Sequence, residues 1–413
     1  MRRALPPRRG RRRARGALPG GIGGTPVRPV EPRDQAQGVR IVAVVAPYYP
    51  PKVGGVENYA ARIARAVADA PGLRPVVITT RLSGRRTSVS VEDGVHIIRL
   101  GAWLRLSNTP LSPLWPLQLR YWLRRTGAQV VNAHAPVPGL ADLAVAVSGS
   151  RPAVLTYHAG SMHKGEPGSG LADRLIDVYE RRVLPRVFRR ARVLVAVSPV
   201  SLAAAHPHAV EITPGVDIER FTPGEPASRR PRTVLYVGRM DRSSAWKGVD
   251  ALLRAFAELA DDVADARLLL VGGGDAVPDH LRLAAELGIA DRVEATGELT
   301  GEALPDVMRT AAVAVLPSRT EAESFGMVLV EAMACGTPVV GSAVGGIPHV
   351  VLDGETGLLV PPGDPGALAA ACRKLLAEGE LADRLGAAGR RQAERRFAWN
   401  GLMERYVDLF RAL

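Results

Sequence analysis

The sequence predicts an α/β protein in which two doubly wound, Rossmann-like domains face a central cleft. Short apolar runs alternate with segments of helical length, which indicates parallel sheets covered by helices on both faces. The alternation occurs twice, in residues 39–214 and 233–395, on either side of a Pro/Gly/Arg-rich linker at 215–232. A length of 413 residues, 46% of them hydrophobic and 23% charged, suits two or three domains. Ligands bind beyond the carboxyl ends of such strands, so the cleft is the expected site.

The first domain begins with a continuous apolar run at 41–45, which is typical of a strand buried on both faces. A turn at 47–55 leads into a helical pattern at 56–70. Further strands are predicted at 75–79, 129–133, 153–157 and 192–197. Helix-length segments separate most of them, so we expect these strands to run parallel.

The second domain opens with the strand pattern at 233–238. Its other strands are predicted at 266–271, 293–296, 313–316, 338–341 and, as the weakest pattern, 357–360. The remainder, 364–413, is helical and amphipathic. We expect its last helix, 396–413, to return toward the first domain.

The formal net charge of +13 is concentrated at the N-terminus, because residues 1–40 contain 11 arginines and only two acidic side chains. The tail at 1–38 has no hydrophobic period and is predicted to be disordered. It could be a solvated extension or a mis-assigned start, or it could bind anionic lipid weakly. Nucleic-acid binding is disfavoured because no aromatic side chains are interleaved for base stacking. We therefore expect no nucleic-acid partner.

Composition also bears on the compartment. No apolar run approaches the ~18 residues that span a bilayer. The two cysteines, Cys335 and Cys372, cannot build a disulfide framework and suit a reducing cytosol. No apolar stretch of signal-peptide length follows Arg2 and Arg3, which argues against secretion. The expectation is a cytoplasmic protein, with peripheral contact to the inner face of the membrane left open.

Two clusters of candidate anion-binding residues follow the first strand of each domain. The Gly-Gly-Val-Glu run at 54–57 opens a helix, where Gly55 would allow close approach to an anion. Taken alone the motif is a weak signal, and a plain turn between strand and helix is the alternative. In the second domain, Arg239 and Lys247 would be two fixed cations beside a strand end, as a pyrophosphate requires. A solvated basic turn is the alternative.

A third cluster contains two glutamates, Glu323 and Glu331, around a predicted helix at 325–334. Eight residues along a helix cover ~12 Å. A retaining glycoside hydrolase needs its two carboxylates ~5–5.5 Å apart, and an inverting one ~6.5–9.5 Å. The pair therefore suits contacts with two parts of one long ligand, with an anionic diphosphate at the helix start.

Two histidines, His134 and His158, each follow a strand of the first domain. A lone histidine is usually structural, and only His158 gains from a position close to where a sugar would lie. No metal-ligand motif, Walker loop or nucleophile elbow is found. The Gly-rich run at 272–275 lacks the dinucleotide-binding spacing, so neither a metal nor another cofactor is expected.

Taken together, these residues resemble the retaining nucleotide-sugar glycosyltransferases of glycosyltransferase family 4 (GT4, the group 1 glycosyl transferase type), which have the GT-B architecture. The resemblance spans 39–413 and is most specific in 317–364, which contains the Glu-x7-Glu element, the Gly-Gly-Ile-Pro run at 345–348 and the Asp-Gly-Glu-Thr-Gly run at 353–357. The motif at 54–57 and the Gly-Arg and Lys-Gly pairs at 238–239 and 247–248 complete it.

The resemblance implies a role for each matching residue. Arg239 and Lys247 would hold the donor diphosphate, aided by Gly55 and by the helix amides near Gly326 and Met327. Glu331 would bind the ribose hydroxyls. Glu323, with the backbone of Phe325 and Gly326, would grip the transferred sugar. His158 would contact the far side of that sugar. One small departure is the insertion-like segment at 242–246, which lengthens the loop before Lys247.

The implied reaction is transfer of a hexosyl unit from a nucleoside-diphosphate sugar to a hydroxyl acceptor, through a same-face displacement that needs no metal. UDP-glucose, UDP-N-acetylglucosamine and GDP-mannose are each used in the family, and no residue separates them. The alternatives are a GT-B-fold nucleotide-sugar epimerase and a non-catalytic sugar-binding protein.

Acceptor recognition is assigned to the first domain, where one basic, aromatic-rich stretch stands out at 114–125. It could rest on an anionic membrane surface near a lipid-linked acceptor. The alternative is an amphipathic helix packed on the sheet.

Overall fold

The computed structural model describes residues 38–52, 54–106, 109–158, 160 and 170–413. The two doubly wound α/β domains predicted from the sequence are confirmed. The predicted disordered tail at 1–38 lies outside the described residues except for Gly38.

The first sheet has eight strands in the order β10-β9-β8-β7-β1-β2-β4-β3, and every pairing is parallel except β3 with β4. A separate hairpin, β5–β6, precedes the second helix. The strands are β1 (Arg40–Val45), β2 (Leu73–Thr80), β3 (Ser88–Glu92), β4 (Val95–Leu100), β5 (Leu104–Leu106), β6 (Thr109–Leu111), β7 (Val130–Ala135), β8 (Ala153–Tyr157), β9 (Val193–Ala196) and β10 (Ala209–Glu211). The predicted strands are present, whereas β3, β4, β5, β6 and β10 were not predicted.

The helices of this domain cover both faces of the sheet, so its apolar residues form two cores, one on each side. They are α1 (Gly55–Asp69), α2 (Trp115–Arg125), α3 (Leu140–Val147), α4 (Gly170–Val178) and α5 (Leu184–Arg190). Helix α2 buries Trp115, Leu119 and Leu123 against the sheet, as the alternative for the stretch at 114–125 predicts.

The second sheet has six parallel strands in the order β13-β12-β11-β14-β15-β16. Its strands are β11 (Thr233–Val237), β12 (Arg267–Val271), β13 (Val293–Gly297), β14 (Val313–Leu316), β15 (Val339–Ser342) and β16 (Leu358–Val360). Its helices are α6 (Val249–Asp262), α7 (Val277–Glu286), α8 (Ala303–Thr310), α9 (Met327–Ala334), α10 (Ile347–Val350), α11 (Pro365–Ala377) and α12 (Gly379–Gln392). The weakest predicted strand, 357–360, is present as β16.

The last helix, α13 (Trp399–Ala412), packs on the first domain beside α1. Its buried Tyr406 and Phe410 complete the core on that side of the sheet. At its C-terminal end, the Arg40 guanidinium donates to the carbonyls of Phe410 (2.6 Å) and Arg411 (2.9 Å), where a cation also complements the helix dipole.

The two chain segments that cross between the domains are bonded to each other. The Val216 amide donates to the Phe397 carbonyl over 2.7 Å, and the Trp399 amide donates to the Val216 carbonyl over 3.2 Å. Both crossings therefore lie side by side at the base of the cleft.

Candidate active site

A cavity of about 1230 Å³ lies in the cleft. Its wall is built from the loop after β1 and the start of α1, from the crossing segment at 214–221, and from the loops after β11 and β14 with the start of α9. Of the predicted site residues, eight line it, namely Gly55, His158, Lys247, Glu323, Phe325, Gly326, Met327 and Glu331. The fold thus brings these residues from distant parts of the sequence to one cavity.

Helix α9 points its N-terminus at this cavity and begins two residues later than predicted, with Gly326 as its N-cap. Gly326 has a φ of 82°, and no side chain caps the helix, so its first amides stay available to an anion. The Phe325 ring is buried edge-on against Phe397, with the ring centroids 5.7 Å apart.

The loop before α9 is held by the glycine pair at 345–346, which explains that part of the motif. The Gly346 amide donates to the Glu323 carbonyl over 2.8 Å. A Cβ atom at Gly346 would lie 2.1 Å from the Ser324 carbonyl oxygen, so a larger residue would displace the loop. Close backbone contact therefore fixes Glu323 at the edge of the cavity.

Lys247 ends a short 3₁₀ segment, Arg242–Lys247, which contains the insertion-like residues noted in the sequence. Gly248 follows with a φ of 74°, and a Cβ atom there would lie 2.2 Å from the Pro317 carbonyl oxygen. The Lys247 Nζ atom lies 2.9 Å from Glu323 Oε2, to which Ser318 Oγ also donates over 3.0 Å. The predicted diphosphate-binding cation is thus paired with the predicted sugar-binding carboxylate.

Arg239 lies apart from the other predicted residues. Its side chain is 72% exposed, 4.0 Å from Asp241, and does not line the cavity. It does follow β11, as predicted, so it stands at the correct edge of the second sheet. The structure therefore brings Lys247 and Glu331 together without the Arg239 guanidinium.

Glu331 projects from α9 into the same cavity. Burial raises the pKa of its carboxyl to about 7, and the Arg220 guanidinium opposes this increase. The Glu331 carboxyl therefore changes between its ionised form, which only accepts hydrogen bonds, and its protonated form within the neutral pH range.

The first domain contributes the start of α1, where Gly54 is the N-cap and no side chain caps the helix. Gly55 lines the cavity, and a Cβ atom there would meet no described atom within 4 Å. Glu57 in the first turn is buried, with Lys52 Nζ 3.8 Å away. The motif at 54–57 therefore forms a cavity wall, beyond its role as a turn.

His158 follows β8 and lines the cavity, and its Nε2 atom lies 2.9 Å from Nδ1 of His134. The two rings are stacked, with their centroids 5.2 Å apart. Burial lowers the pKa of His158 to about 3 and that of His134 well below its usual value. Both imidazoles are therefore neutral at pH 7. His134, to which the sequence assigned no role, supports the residue that reaches the cavity.

Sequence reasoning missed the contribution of the crossing segment, which it treated only as a linker. Pro214, Asp217 and Arg220 of this segment line the cavity, and Arg62 of α1 donates to Asp217 Oδ2 over 2.9 Å across the two elements. The signal that could have indicated this contribution is the presence of isolated charged and apolar residues within a Pro/Gly-rich passage.

Neither a metal-binding cluster nor a membrane-spanning helix is present in the described part of the chain. Within it, no group of three or more His, Cys, Asp or Glu side chains is arranged to hold a metal ion. No helix among these same residues combines the length and apolar character needed to cross a bilayer. Both cysteines are free thiols in the core of the second domain.

Two family models match the chain, namely Glycosyltransferase Family 4 over residues 53–220 and Glycosyl transferases group 1 over residues 231–378. GDP-mannose-dependent alpha-(1-6)-phosphatidylinositol monomannoside mannosyltransferase of Mycolicibacterium smegmatis is 32% identical over 379 residues, which cover 87% of this chain and 88% of that protein. D-inositol 3-phosphate glycosyltransferase of Frankia alni is 33% identical over 387 residues, with 84% and 91% covered.

Solved structures are similar over the same extent. Sucrose-phosphate synthase from Thermosynechococcus elongatus has a TM-score of 0.73 at 27% identity and covers 90% of this chain and 98% of its own. Anabaena HepE in complex with UDP and glucose has a TM-score of 0.68 at 19% identity, with 91% and 100% covered, which is evidence for the fold.

Proposed function

Because this chain belongs to glycosyltransferase family 4 and is therefore a glycosyltransferase, we propose that it transfers a hexosyl unit from a nucleoside-diphosphate sugar to a hydroxyl acceptor, with retention and without a metal ion. One observation carries the proposal: the Lys247 ammonium, the uncapped start of α9 and the Glu331 carboxylate line one cavity between the two sheets. This is the set of groups that a nucleoside diphosphate requires.

The donor would lie along the second domain. Its diphosphate would contact Lys247 and the first amides of α9, where the helix dipole favours negative charge. Its ribose hydroxyls would donate to Glu331. The transferred sugar would then lie between Glu323 of the second domain and His158 of the first.

Catalysis in this arrangement is mainly electrostatic. As the bond from the anomeric carbon to the diphosphate breaks, negative charge grows on the leaving phosphate, and Lys247 and the α9 dipole stabilise it. We propose that the acceptor attacks the same face of an oxocarbenium-like sugar while the leaving phosphate takes the acceptor proton. No protein nucleophile is needed, and the fixed cation takes the charge-neutralising role for which other enzymes use a metal.

For the acceptor we propose a hydroxyl of an inositol-containing phosphate or phospholipid. Support comes from the names of relatives, which act on phosphatidylinositol monomannoside, D-inositol 3-phosphate or phosphatidyl-myo-inositol. Arg62 and Arg65 of α1 line the first-domain side of the cavity, where they could face an acceptor phosphate. GDP-mannose, which the name of one of these relatives specifies, is the first donor to test.

The test is release of nucleoside diphosphate from GDP-mannose, UDP-glucose and UDP-N-acetylglucosamine, each with and without D-inositol 3-phosphate or phosphatidylinositol vesicles. We expect release from one donor that depends on the acceptor. A thermal-shift panel identifies the donor independently, because a ligand at 100 times its Kd adds ~2.7 kcal/mol to stability. Interconversion of sugars without an acceptor would indicate the epimerase instead, and stabilisation without turnover would indicate a sugar-binding protein.

We also propose a peripheral contact between the outer face of α2 and an anionic membrane. This face carries Leu117, Arg120, Tyr121, Arg124 and Arg125 around a shallow surface groove. Leu117 is 69% exposed and Tyr121 54% exposed, whereas the opposite side of the helix is buried in the core. Apolar side chains flanked by arginines suit the headgroup region of an anionic bilayer.

Replacing Arg124 with glutamine is expected to weaken binding to vesicles that contain anionic phospholipid about fivefold, since each basic residue near the surface contributes ~1 kcal/mol. Flotation measures the bound fraction. Arg391→Gln, an equal charge change at an exposed site of the second domain, is the matched control and should leave binding unchanged. If the intact protein does not float with anionic vesicles, or if both variants lose binding equally, the α2 contact is wrong.

A further inference from the structure

An unbroken row of hydrogen-bonding groups runs from the cleft to helix α13 and back to the end of the first sheet. In order, its members are His158, His134, Asn132, Thr156, Tyr406, Tyr59 and the backbone carbonyl of Ile212. Consecutive polar atoms lie 2.8 to 3.2 Å apart. Every side chain in it except His158 is almost completely buried. We call this row the His158–Ile212 chain.

Tyr59 is the hydroxyl end of the chain. It donates to the Ile212 carbonyl oxygen over 2.8 Å, and it is also the donor toward the Tyr406 hydroxyl oxygen, 3.2 Å away. In the next pair, Thr156 Oγ1 and the Tyr406 hydroxyl lie 3.0 Å apart and either can donate. The direction of the remaining bonds is therefore set at Asn132.

The amide of Asn132 sets this direction. Its Nδ2 atom lies 3.5 Å from the Val154 carbonyl oxygen, which can only accept, so the nitrogen faces this side. The same nitrogen donates to Thr156 Oγ1 over 3.1 Å, which leaves the Thr156 proton for Tyr406. Asn132 Oδ1 therefore faces His134, where it accepts from Nε2–H over 2.9 Å.

The tautomers of the two histidines follow in turn. His134 is buried and neutral, and its one ring proton is on Nε2, so its Nδ1 accepts. His158 must then donate from Nε2 over the 2.9 Å contact. Its other nitrogen, Nδ1, has no hydrogen-bond partner among the residues that the structure describes, while the residue itself lines the cavity.

We propose that the His158–Ile212 chain holds His158 in its Nε2–H tautomer, so that Nδ1 presents a lone pair to the cleft and accepts a hydrogen bond from a hydroxyl of the transferred sugar. Asn132, His134, Thr156, Tyr406 and Tyr59 are then positioning residues, because they act only through His158. That a sugar hydroxyl is the donating group rests on the proposed function, whereas the tautomer does not.

The chain also makes α13 part of the site. Tyr406 is contributed by the helix that crosses back from the second domain, and it joins Thr156 of β8 to Tyr59 of α1. If α13 moved away from the first domain, Tyr406 would lose its contacts with Tyr59 and Thr156, and the Thr156 hydroxyl would be free to rotate. The packing of α13 on the first domain and the tautomer of His158 are therefore linked through these contacts.

The direct test is long-range ¹H–¹⁵N NMR of the full-length protein labelled with ¹⁵N-histidine, with the His158 signals assigned from a His158→Asn variant. We expect both His134 and His158 to show a single neutral Nε2–H form at pH 7.5. A predominant Nδ1–H form of His158, or a doubly protonated ring, would overturn the proposal. Because this readout needs no substrate, it stands or falls separately from the proposed function.

Thr156→Val removes one member of the chain at nearly constant volume. We expect a second, Nδ1–H form of His158 to appear, together with a fall in kcat/KM of about tenfold, the effect of one lost hydrogen bond of ~1.4 kcal/mol. Thr79→Val is the matched control, because Thr79 is a buried threonine of the same sheet whose hydroxyl has no partner among the described residues. It should leave both the tautomer and kcat/KM unchanged.

Tyr406→Phe provides a second variant if Thr156→Val fails to fold, and it should produce the same mixture of tautomers. A wild-type NMR pattern in either folded variant would show that the chain does not set the tautomer. Equal loss of activity in Thr156→Val and Thr79→Val, with unchanged tautomers, would likewise reduce these residues to a structural role.

Discussion

Replacing Lys247 with alanine is expected to lower the turnover number ~10²-fold or more, comparable to the loss of one oxyanion-hole donor. The ammonium lines the cavity together with the start of α9. Its position is fixed by the ion pair with Glu323 and by the close backbone packing of Gly248. Without it, charge developing on the leaving diphosphate faces the Glu323 carboxylate directly. Initial rates of nucleoside diphosphate release at saturating donor measure the effect.

Arg242→Ala is the matched control for Lys247→Ala. Arg242 belongs to the same 3₁₀ segment, but its guanidinium is exposed and paired with Asp279 of α7 at 2.8 Å. We expect this variant to retain turnover, while Lys247→Arg, which keeps a positive charge, should fall between the two. A Lys247→Ala enzyme with near-normal turnover would contradict the electrostatic mechanism.

Arg239 requires a separate comparison. The sequence predicts the same loss for Arg239→Ala, but the side chain is exposed and outside the cavity wall. If the two lobes close on the donor, this exposed guanidinium has room to reorient toward the diphosphate. Full turnover in Arg239→Ala beside a severe loss in Lys247→Ala would assign the phosphate-binding role to Lys247 without it.

The central strands of the second domain, β11, β12 and β14, could be predicted because they are largely buried and each contains a continuous apolar run. The strands that were missed do not have this property. In β3 (Ser88–Glu92) no residue is buried, and β4 (Val95–Leu100) carries His96 and Arg99 at half-exposed positions. The short β10 (Ala209–Glu211) lies at the opposite edge of the first sheet, where pairing is decided by the neighbouring strand.

The sequence was sufficient to predict most residues of the candidate site, but not the contacts between them. The positions after strand ends gave Lys247, Glu323, Glu331 and His158, because parallel strands present their carboxyl ends at one edge. The pairing of Lys247 with Glu323 joins residues 76 positions apart and depends on how two loops meet. The support that His134 gives to His158 likewise depends on the register of β7 with β8, which no local pattern reveals.

Glu331→Gln is expected to weaken nucleoside diphosphate binding roughly 30-fold at pH 8, since a hydrogen bond to a charged group contributes ~1.5–3 kcal/mol. The carboxylate would accept from the ribose hydroxyls, whereas the neutral amide accepts more weakly. Isothermal titration with GDP and UDP measures the dissociation constant. The variant keeps the size and shape of the side chain, so a loss of affinity measures the contribution of the carboxylate charge to nucleotide binding.

The pH dependence of binding gives a sharper test of the same carboxyl. Its pKa in the empty cavity is raised to about 7, so the group takes up a proton as the pH falls through neutrality. Nucleotide binding favours the ionised form, and a fall from pH 8 to pH 6 should therefore weaken binding about tenfold. Stability should change in the opposite direction, since the folded state binds this proton more tightly than the unfolded chain and is favoured as the pH falls from about 7 toward 4.5.

Two variants separate Glu331 from other titrating groups, including the phosphates of the nucleotide. In Glu331→Gln, the part of the pH dependence of affinity that comes from the Glu331 carboxyl should disappear. Any part that comes from titration of the nucleotide should persist in both proteins. Arg220→Gln removes the guanidinium that opposes the pKa increase, so the midpoint of the wild-type profile should move to higher pH. If the affinity of wild type and Glu331→Gln falls in parallel between pH 8 and pH 6, Glu331 does not bind the nucleotide as a carboxylate.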